Sequence, residues 1–209
     1  ALGLPAAGRL LQRPYSTASL PPARDGLEFL VRLVPGGALT PRLWELLPGA
    51  RIRIGRPKGL FRLAPEDRRA HLFIATGTGL APFVAMAAEL RGRPSAPRAV
   101  VVHGVARADE LAYRHRLEAW HGDGSSVAYV PAVSRAGDPA NAGWAGLTGR
   151  LDATVPEVMM RAALDPADTV AYLCGNPGMI AAVTAALEAR GVPREAIISE
   201  QYWTGPASL

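Results

Sequence analysis

Thr76-Gly77-Thr78-Gly79-Leu80-Ala81-Pro82 lies between an apolar run and an Ala-rich segment of helical character. Glycines let a backbone approach a ligand closely, and the first amides of a following helix face outward to donate to anionic oxygens. Pro82 suits the first turn of such a helix, where its missing N–H breaks no bond. At the carboxyl end of a parallel strand this is a nucleotide-binding position, with Gly77, Thr78, Gly79, Ala81 and Pro82 as candidate contacts. It lacks the GxGxxG fingerprint, and alone it reads equally well as a structural turn. Cys174-Gly175-Asn176-Pro177-Gly178-Met179 follows a later apolar run in the same way. Two such turns in one sheet can flank one crevice, which adds Cys174, Gly175, Asn176 and Met179. By itself Cys174 reads as a small buried hydrophobe.

Three further groups have chemical potential. Arg13-Pro14-Tyr15-Ser16-Thr17 carries an arginine, a ring and two hydroxyls. In an extended strand Arg13 and Tyr15 share a face, which offers a guanidinium to a phosphate and a ring to a flat heterocycle. Ser134-Arg135 follows directly on the strand-like run Val127 to Val133. A hydroxyl and a guanidinium there could hold the extra phosphate that separates NADP from NAD, with Arg107 and Arg150 as possible additions. Glu200-Gln201-Tyr202-Trp203 sets a carboxylate, suited to charge or proton control, beside two aromatics that could cover a flat cofactor. Taken singly, each has a plainer reading: a strand tyrosine, solvated arginines, a core-capping aromatic pair.

The elements that must position these residues change character along the chain. Leu2–Pro5, Leu10–Ser16, Leu27–Val34 and Arg51–Gly55 read as short strands, and Thr40–Leu47 as a helix with Thr40 as its N-cap. Short strands with one helix predict a small antiparallel barrel. From about His71, apolar runs alternate with helical segments: HLFIAT with APFVAMAAEL, AVVVHGV with ELAYRHRLEAW, and TVAYLCG with GMIAAVTAALEARG. SVAYVPAVS and AIISEQYW supply further strands. Such alternation predicts a doubly wound α/β parallel sheet with helices on both faces. The polar stretch Pro65–Arg69 marks the boundary, giving domains at 1–66 and 67–209.

Composition removes several function classes. Of 209 residues 49% are hydrophobic and 20% charged, a globular balance. The one cysteine excludes an intrachain disulfide, a cysteine-ligated iron–sulfur cluster and a Cys-rich zinc site, so no metal is expected. The net charge is +5 without a run of adjacent basic residues, which favours scattered phosphate contacts over nucleic-acid binding. The uncharged stretches Leu72–Ala88 and Thr169–Leu187 are broken by Gly and Pro near their middles, so no membrane span is expected. The opening ALGLPAAGRLLQ lacks a signal-peptide pattern, and a cytoplasmic monomer is expected.

In order and spacing, these segments resemble the ferredoxin–NADP reductase superfamily, and bacterial members in particular, from about Leu2 to Trp203. RPYST matches the family's flavin motif and GTGLAP its pyridine-nucleotide turn. VSR is similar to the 2′-phosphate site, CGNPGM to the nicotinamide-side turn, and EQYW to the Glu-x-Tyr ending. The resemblance implies FAD held by Arg13, Tyr15, Ser16 and Thr17, with Gly37 and Thr40 of GGALTPRL as a second phosphate-contacting segment and Tyr202 and Trp203 over the flavin. It implies NADP(H) on Gly77, Thr78, Gly79, Ala81 and Pro82, with its 2′-phosphate on Ser134 and Arg135 aided by Arg107 and Arg150. Gly175, Asn176 and Met179 complete that site. Catalytic roles fall to Ser16 near flavin N5, Cys174 beside the nicotinamide and Glu200 in hydride and proton transfer. The implied reaction passes a hydride between nicotinamide and flavin N5 and single electrons to acidic ferredoxin or flavodoxin. The family's barrel begins with strands earlier than Leu2, so these are expected to be missing here, and the family's ending has no counterpart to the tail TGPASL.

Two other readings stay open. One is an NAD(P)H-dependent reductase component that feeds an oxygenase or reduces small acceptors. The other is a non-catalytic NADP-binding module without flavin.

Overall fold

The apolar runs separate into two sheets, one antiparallel and one parallel. A computed structural model describes residues 1–6, 8–20 and 26–201. In the first sheet β1 (Leu2–Ala6) and β2 (Arg9–Arg13) pair antiparallel from Leu2↔Arg13 to Ala6↔Arg9. After the short helix α1 (Thr40–Trp44), β3 (Arg53–Ile54) pairs with the other edge of β1. Among the described residues the antiparallel module is therefore a three-stranded sheet.

The second sheet contains β4 (Ala70–Thr76), β5 (Ala99–Val105), β6 (Val127–Val133), β7 (Leu147–Thr148), β8 (Thr169–Gly175) and β9 (Ile197–Gln201). They run parallel in the order β7-β6-β5-β4-β8-β9. Helices α2 (Ala81–Arg91) and α3 (Arg114–Gly122) cover one face, where Phe83 and Leu117 pack with Phe73, Val101, Val170 and Tyr172. Helices α4 (Leu151–Arg161) and α5 (Pro177–Glu188) cover the other, where Val155 and Val183 meet Leu72, Ile74, Val100 and Leu173. Burial on both faces explains why these strands read as continuous apolar runs rather than alternating ones. The strand order reverses between β4 and β8, the place where doubly wound sheets open a ligand crevice.

Several expectations need correction. Among the described residues Leu27–Val34 forms no ladder; its strand pairing there is one isolated bridge, Phe29 to Thr17. The Glu28 carboxylate accepts from Arg116 at 2.8 and 3.2 Å and from the Tyr113 hydroxyl at 3.3 Å. Together with the Arg32–Glu110 ion pair at 3.2 Å, this makes the segment a strap onto the parallel-sheet module. The first helix ends at Trp44, short of Leu47, and Leu39 takes the N-cap position. Thr40 lies inside the first turn, with its hydroxyl accepting from Val34 N at 2.9 Å and donating to Val34 O at 3.1 Å. Strand β3 covers only two residues of the expected Arg51–Gly55. The segment ELAYRHRLEAW becomes helical only at Arg114, because Tyr113 takes a left-handed φ of 57°. Helix α4 and strand β7 are elements the sequence did not suggest.

Candidate functional site

Both candidate turns leave carboxyl ends at the reversal point, the first from β4 and the second from β8. They interlock. An ideal Cβ on Gly79 would lie 2.2 Å from the Cys174 carbonyl oxygen, and one on Gly175 would lie 2.2 Å from Thr76 Oγ1. The same Thr76 hydroxyl oxygen accepts the Asn176 N–H at 3.1 Å. Gly77, by contrast, has a φ of +53° and open space where a side chain would be. Close backbone contact on one side and an open, left-handed glycine on the other leave the crevice face clear of side chains at this point. That is what a phosphate needs in order to approach main-chain amides, so the residues present fit a dinucleotide. Ala81 and Pro82 begin α2, and both are buried.

In the second turn Asn176 is the N-cap of α5, its Oδ1 accepting from Gly178 N at 2.8 Å and Met179 N at 3.3 Å. The Cys174 side chain is fully buried in the core shared with α2, and Met179 is buried against α4 and α5. Both candidates are thus inward-facing in this structure. The parity of β8 accounts for Cys174, which follows Val170 and Tyr172 on the same face.

The sequence-distant motif RPYST reaches the same end of the sheet. Ser16 Oγ donates to Glu200 Oε2 at 3.2 Å across 184 positions of sequence. Glu200 is paired in register with Cys174, so these three candidates converge. Ser16, Glu200 and Tyr15 are half-buried. Burial raises the Tyr15 phenol's pKa, against the opposing pull of nearby Arg13. The Arg13 side chain is exposed and donates to the neighbouring Gln12 carbonyl at 2.9 Å. A half-buried ring next to an exposed guanidinium fits a flavin with its phosphates. Gly37 is packed against Val34 and Thr40, where a Cβ would meet Val34 O at 3.0 Å. Tyr202 and Trp203 lie outside the described residues.

The arginine cluster sits at the carboxyl ends of β5, β6 and β7. Ser134 and Arg135 are exposed just past β6, with Ser134 Oγ 3.3 Å from Val105 O. Arg150 caps α4 and pairs with Asp152 at 3.1 Å. Arg107 is held by Asp138 at 2.8 Å, which raises the guanidinium's pKa and lowers that of the carboxyl. Two residues missed in the sequence organise this cluster. Asn141, buried, donates to Ala106 O at 3.1 Å and Arg135 O at 2.7 Å, and accepts from Ala108 N at 2.8 Å. Asp138 is the other, and it also caps the short turn Pro139–Asn141. The Asp-Pro pair marks a turn in the sequence, but nothing local shows that Asn141 faces inward.

Two family models match the chain: an oxidoreductase FAD-binding domain over residues 1–63 and an oxidoreductase NAD-binding domain over residues 73–185. Ferredoxin–NADP reductase B of Sorangium cellulosum is 33% identical over 205 residues, covering 96% of this chain and 82% of that protein. The anthranilate 1,2-dioxygenase electron transfer component of Acinetobacter baylyi is 31% identical, and there this chain spans 53% of the relative. The solved ferredoxin NADP+ reductase of Neisseria gonorrhoeae, with FAD and NADP bound, superposes with a TM-score of 0.78 at 26% identity, over 96% of this chain and 83% of that one. Fold and site together define an oxidoreductase with an FAD-binding and a nicotinamide-dinucleotide-binding domain. The chain belongs to the ferredoxin–NADP reductase family. Among the described residues no helix is long and apolar enough to cross a membrane.

Proposed function

We propose that this chain is a ferredoxin–NADP(+) reductase that exchanges electrons between NADP(H) and ferredoxin or flavodoxin, as a cytoplasmic monomer with its domain boundary at residues 66–67. The observation that carries the reading is the Ser16–Glu200 hydrogen bond, which joins the flavin-side motif to the nicotinamide-side sheet end. Bound FAD supplies the exchange between two-electron nicotinamide chemistry and one-electron carriers. Arg13 holds its phosphates, Tyr15 packs on its ring, and Gly37 and Thr40 shape the second phosphate-contacting segment. Gly77, Thr78 and Gly79 orient the dinucleotide, and Gly175 keeps the second turn close to Thr76. Because the Ser16 hydroxyl donates to Glu200, its oxygen keeps lone pairs to accept a proton, which the half-buried carboxylate can relay outward.

Charge distribution supports the partner class. Residues 1–66 hold ten Arg and Lys against four Asp and Glu, whereas the remainder holds thirteen against fourteen. The positive excess lies on the flavin side, where an acidic carrier would dock and be steered.

The test is NADPH-driven reduction of ferredoxin and flavodoxin by the purified flavin-bearing protein, with NADH as comparison. Equal kcat/KM for NADPH and NADH would remove the NADP assignment. Arg135→Ala is expected to lower kcat/KM for NADPH by about 10- to 100-fold, the worth of a charge-assisted hydrogen bond, with NADH unaffected. Ser16→Ala leaves Glu200 without its donor and is expected to lower kcat about tenfold with little change in KM; steady-state kinetics at saturating NADPH read this directly. A second reading, the reductase component of an oxygenase, is favoured by the dioxygenase relative. Electron delivery to an oxygenase in preference to ferredoxin or flavodoxin would establish it.

A further inference from the structure

His103, fully buried in β5, lies beneath the first turn, and none of the roles above uses it. Its Nε2 is 3.1 Å from Gly77 O, and its Nδ1 is 3.3 Å from the Tyr129 hydroxyl. A carbonyl oxygen only accepts, so Nε2 carries the proton. Desolvation pushes the ring's pKa down from 6.5 to about 4, so the ring is neutral near neutral pH. A neutral ring protonated at Nε2 has a bare Nδ1, so the Tyr129 hydroxyl must donate to it. Tyr129, His103 and Gly77 O therefore form a chain of hydrogen bonds with one direction, and it ends on the left-handed glycine of the turn.

The consequence follows from peptide geometry. The Gly77–Thr78 peptide is planar and trans, so its C=O and N–H point in opposite directions. Holding the Gly77 carbonyl inward on His103 turns the Thr78 N–H away from the buried ring. We propose that His103, its tautomer fixed by Tyr129, is a positioning residue that sets the peptide orientation of the turn for a dinucleotide pyrophosphate. This rests on the reading of residues 77–79 as the dinucleotide turn.

The experiment compares two ligands on the flavin-loaded protein by calorimetric titration: NADP+, and adenosine 2′-monophosphate, which has the 2′-phosphate but no pyrophosphate. His103→Leu removes the donor, whereas His103→Gln keeps an Nε2 donor at similar reach. NADP+ is expected to bind His103→Leu about tenfold more weakly, the order of one lost hydrogen bond, and His103→Gln nearly as tightly as wild type. The monophosphate should bind all three alike. Unchanged NADP+ affinity in the leucine variant, or equal weakening of both ligands, would overturn the proposal. Independently of how the variants fold, ring ¹⁵N spectra of the wild type should show the Nε2–H tautomer; an Nδ1–H or doubly protonated ring would also overturn it. Titrating NAD+ in parallel separates the two levels. A wild type that prefers NAD+ loses the 2′-phosphate reading but still tests His103, because both dinucleotides carry the pyrophosphate. A wild type that binds neither loses both.

Discussion

Gly79→Ala is expected to lower NADPH-dependent kcat/KM by roughly 100-fold or more, the scale set by displacing a positioning element about 1 Å. The added Cβ would lie 2.2 Å from the Cys174 carbonyl oxygen and 2.6 Å from its carbon. No side chain can rotate aside, because both contacts are main chain. Nor can β8 retreat, since Cys174 is in register with Ala75 of β4 on one side and Glu200 of β9 on the other. The turn itself must lift, and with it the backbone proposed to meet the pyrophosphate. A stability loss of about 3 kcal/mol should accompany it, at the upper end for overpacking. Gly77→Ala provides the contrast. Its Cβ would enter open space, and the left-handed φ of +53° is its only obstacle, so about 1–2 kcal/mol is expected. Thermal melts and NADPH-driven reduction of an artificial acceptor measure both. A Gly79→Ala enzyme with wild-type turnover would show that the interlock of the two turns is not what sets the site.

The second module was legible because burial on both sheet faces leaves its mark in composition. HLFIAT, AVVVHGV and TVAYLCG are apolar without alternation and give β4, β5 and β8 nearly to the residue. Helix α4 was hidden by Pro156, which reads as a breaker although the helix continues through it to Arg161. The strap at 27–34 was misread for a different reason. Its β-like composition is real, but Glu28 and Arg32 take partners 78 to 88 positions away, and no local pattern encodes those. The site divides along the same line. Turn residues such as Gly77 and Gly79 carry their geometry in their type, so sequence points to them. Asn141 acts through the backbone of other loops and Asp138 through the distant Arg107 side chain, and the buried His103 looks like one polar interruption in an apolar strand. Cys174 shows the converse: a suggestive type at a suggestive place, whose side chain the strand's parity turns into the core.

Acid should destabilise this protein well before its carboxylates titrate, and His103 should be the main cause. Its pKa falls from 6.5 to about 4 on folding because burial disfavours the charged ring. The unfolded chain therefore binds a proton over a range in which the folded one does not. Stability is full above pH 6.5, declines as pH falls through that window and levels off below the folded value. The whole window corresponds to about 3 kcal/mol, with about 2 kcal/mol lost by pH 5. His71, fully buried with Nδ1 2.7 Å from the Arg69 carbonyl, is also shifted down by desolvation and adds in the same direction. Glu28, held down by Arg116, and Asp67, held down by Arg69, lose their charge only below their ordinary values of 4.5 and 3.8, so the upper part of the window belongs to the histidines. Urea unfolding near pH 7 and pH 5 measures the loss. The double variant His103→Leu/Tyr129→Phe removes the ring without orphaning the tyrosine hydroxyl, although the Gly77 carbonyl loses its donor, so a pH-independent loss of about 1–3 kcal/mol is expected as well. It should unfold with a much flatter pH dependence than wild type. A double variant that kept the full acid sensitivity would place the proton uptake elsewhere, with His71 the next group to replace.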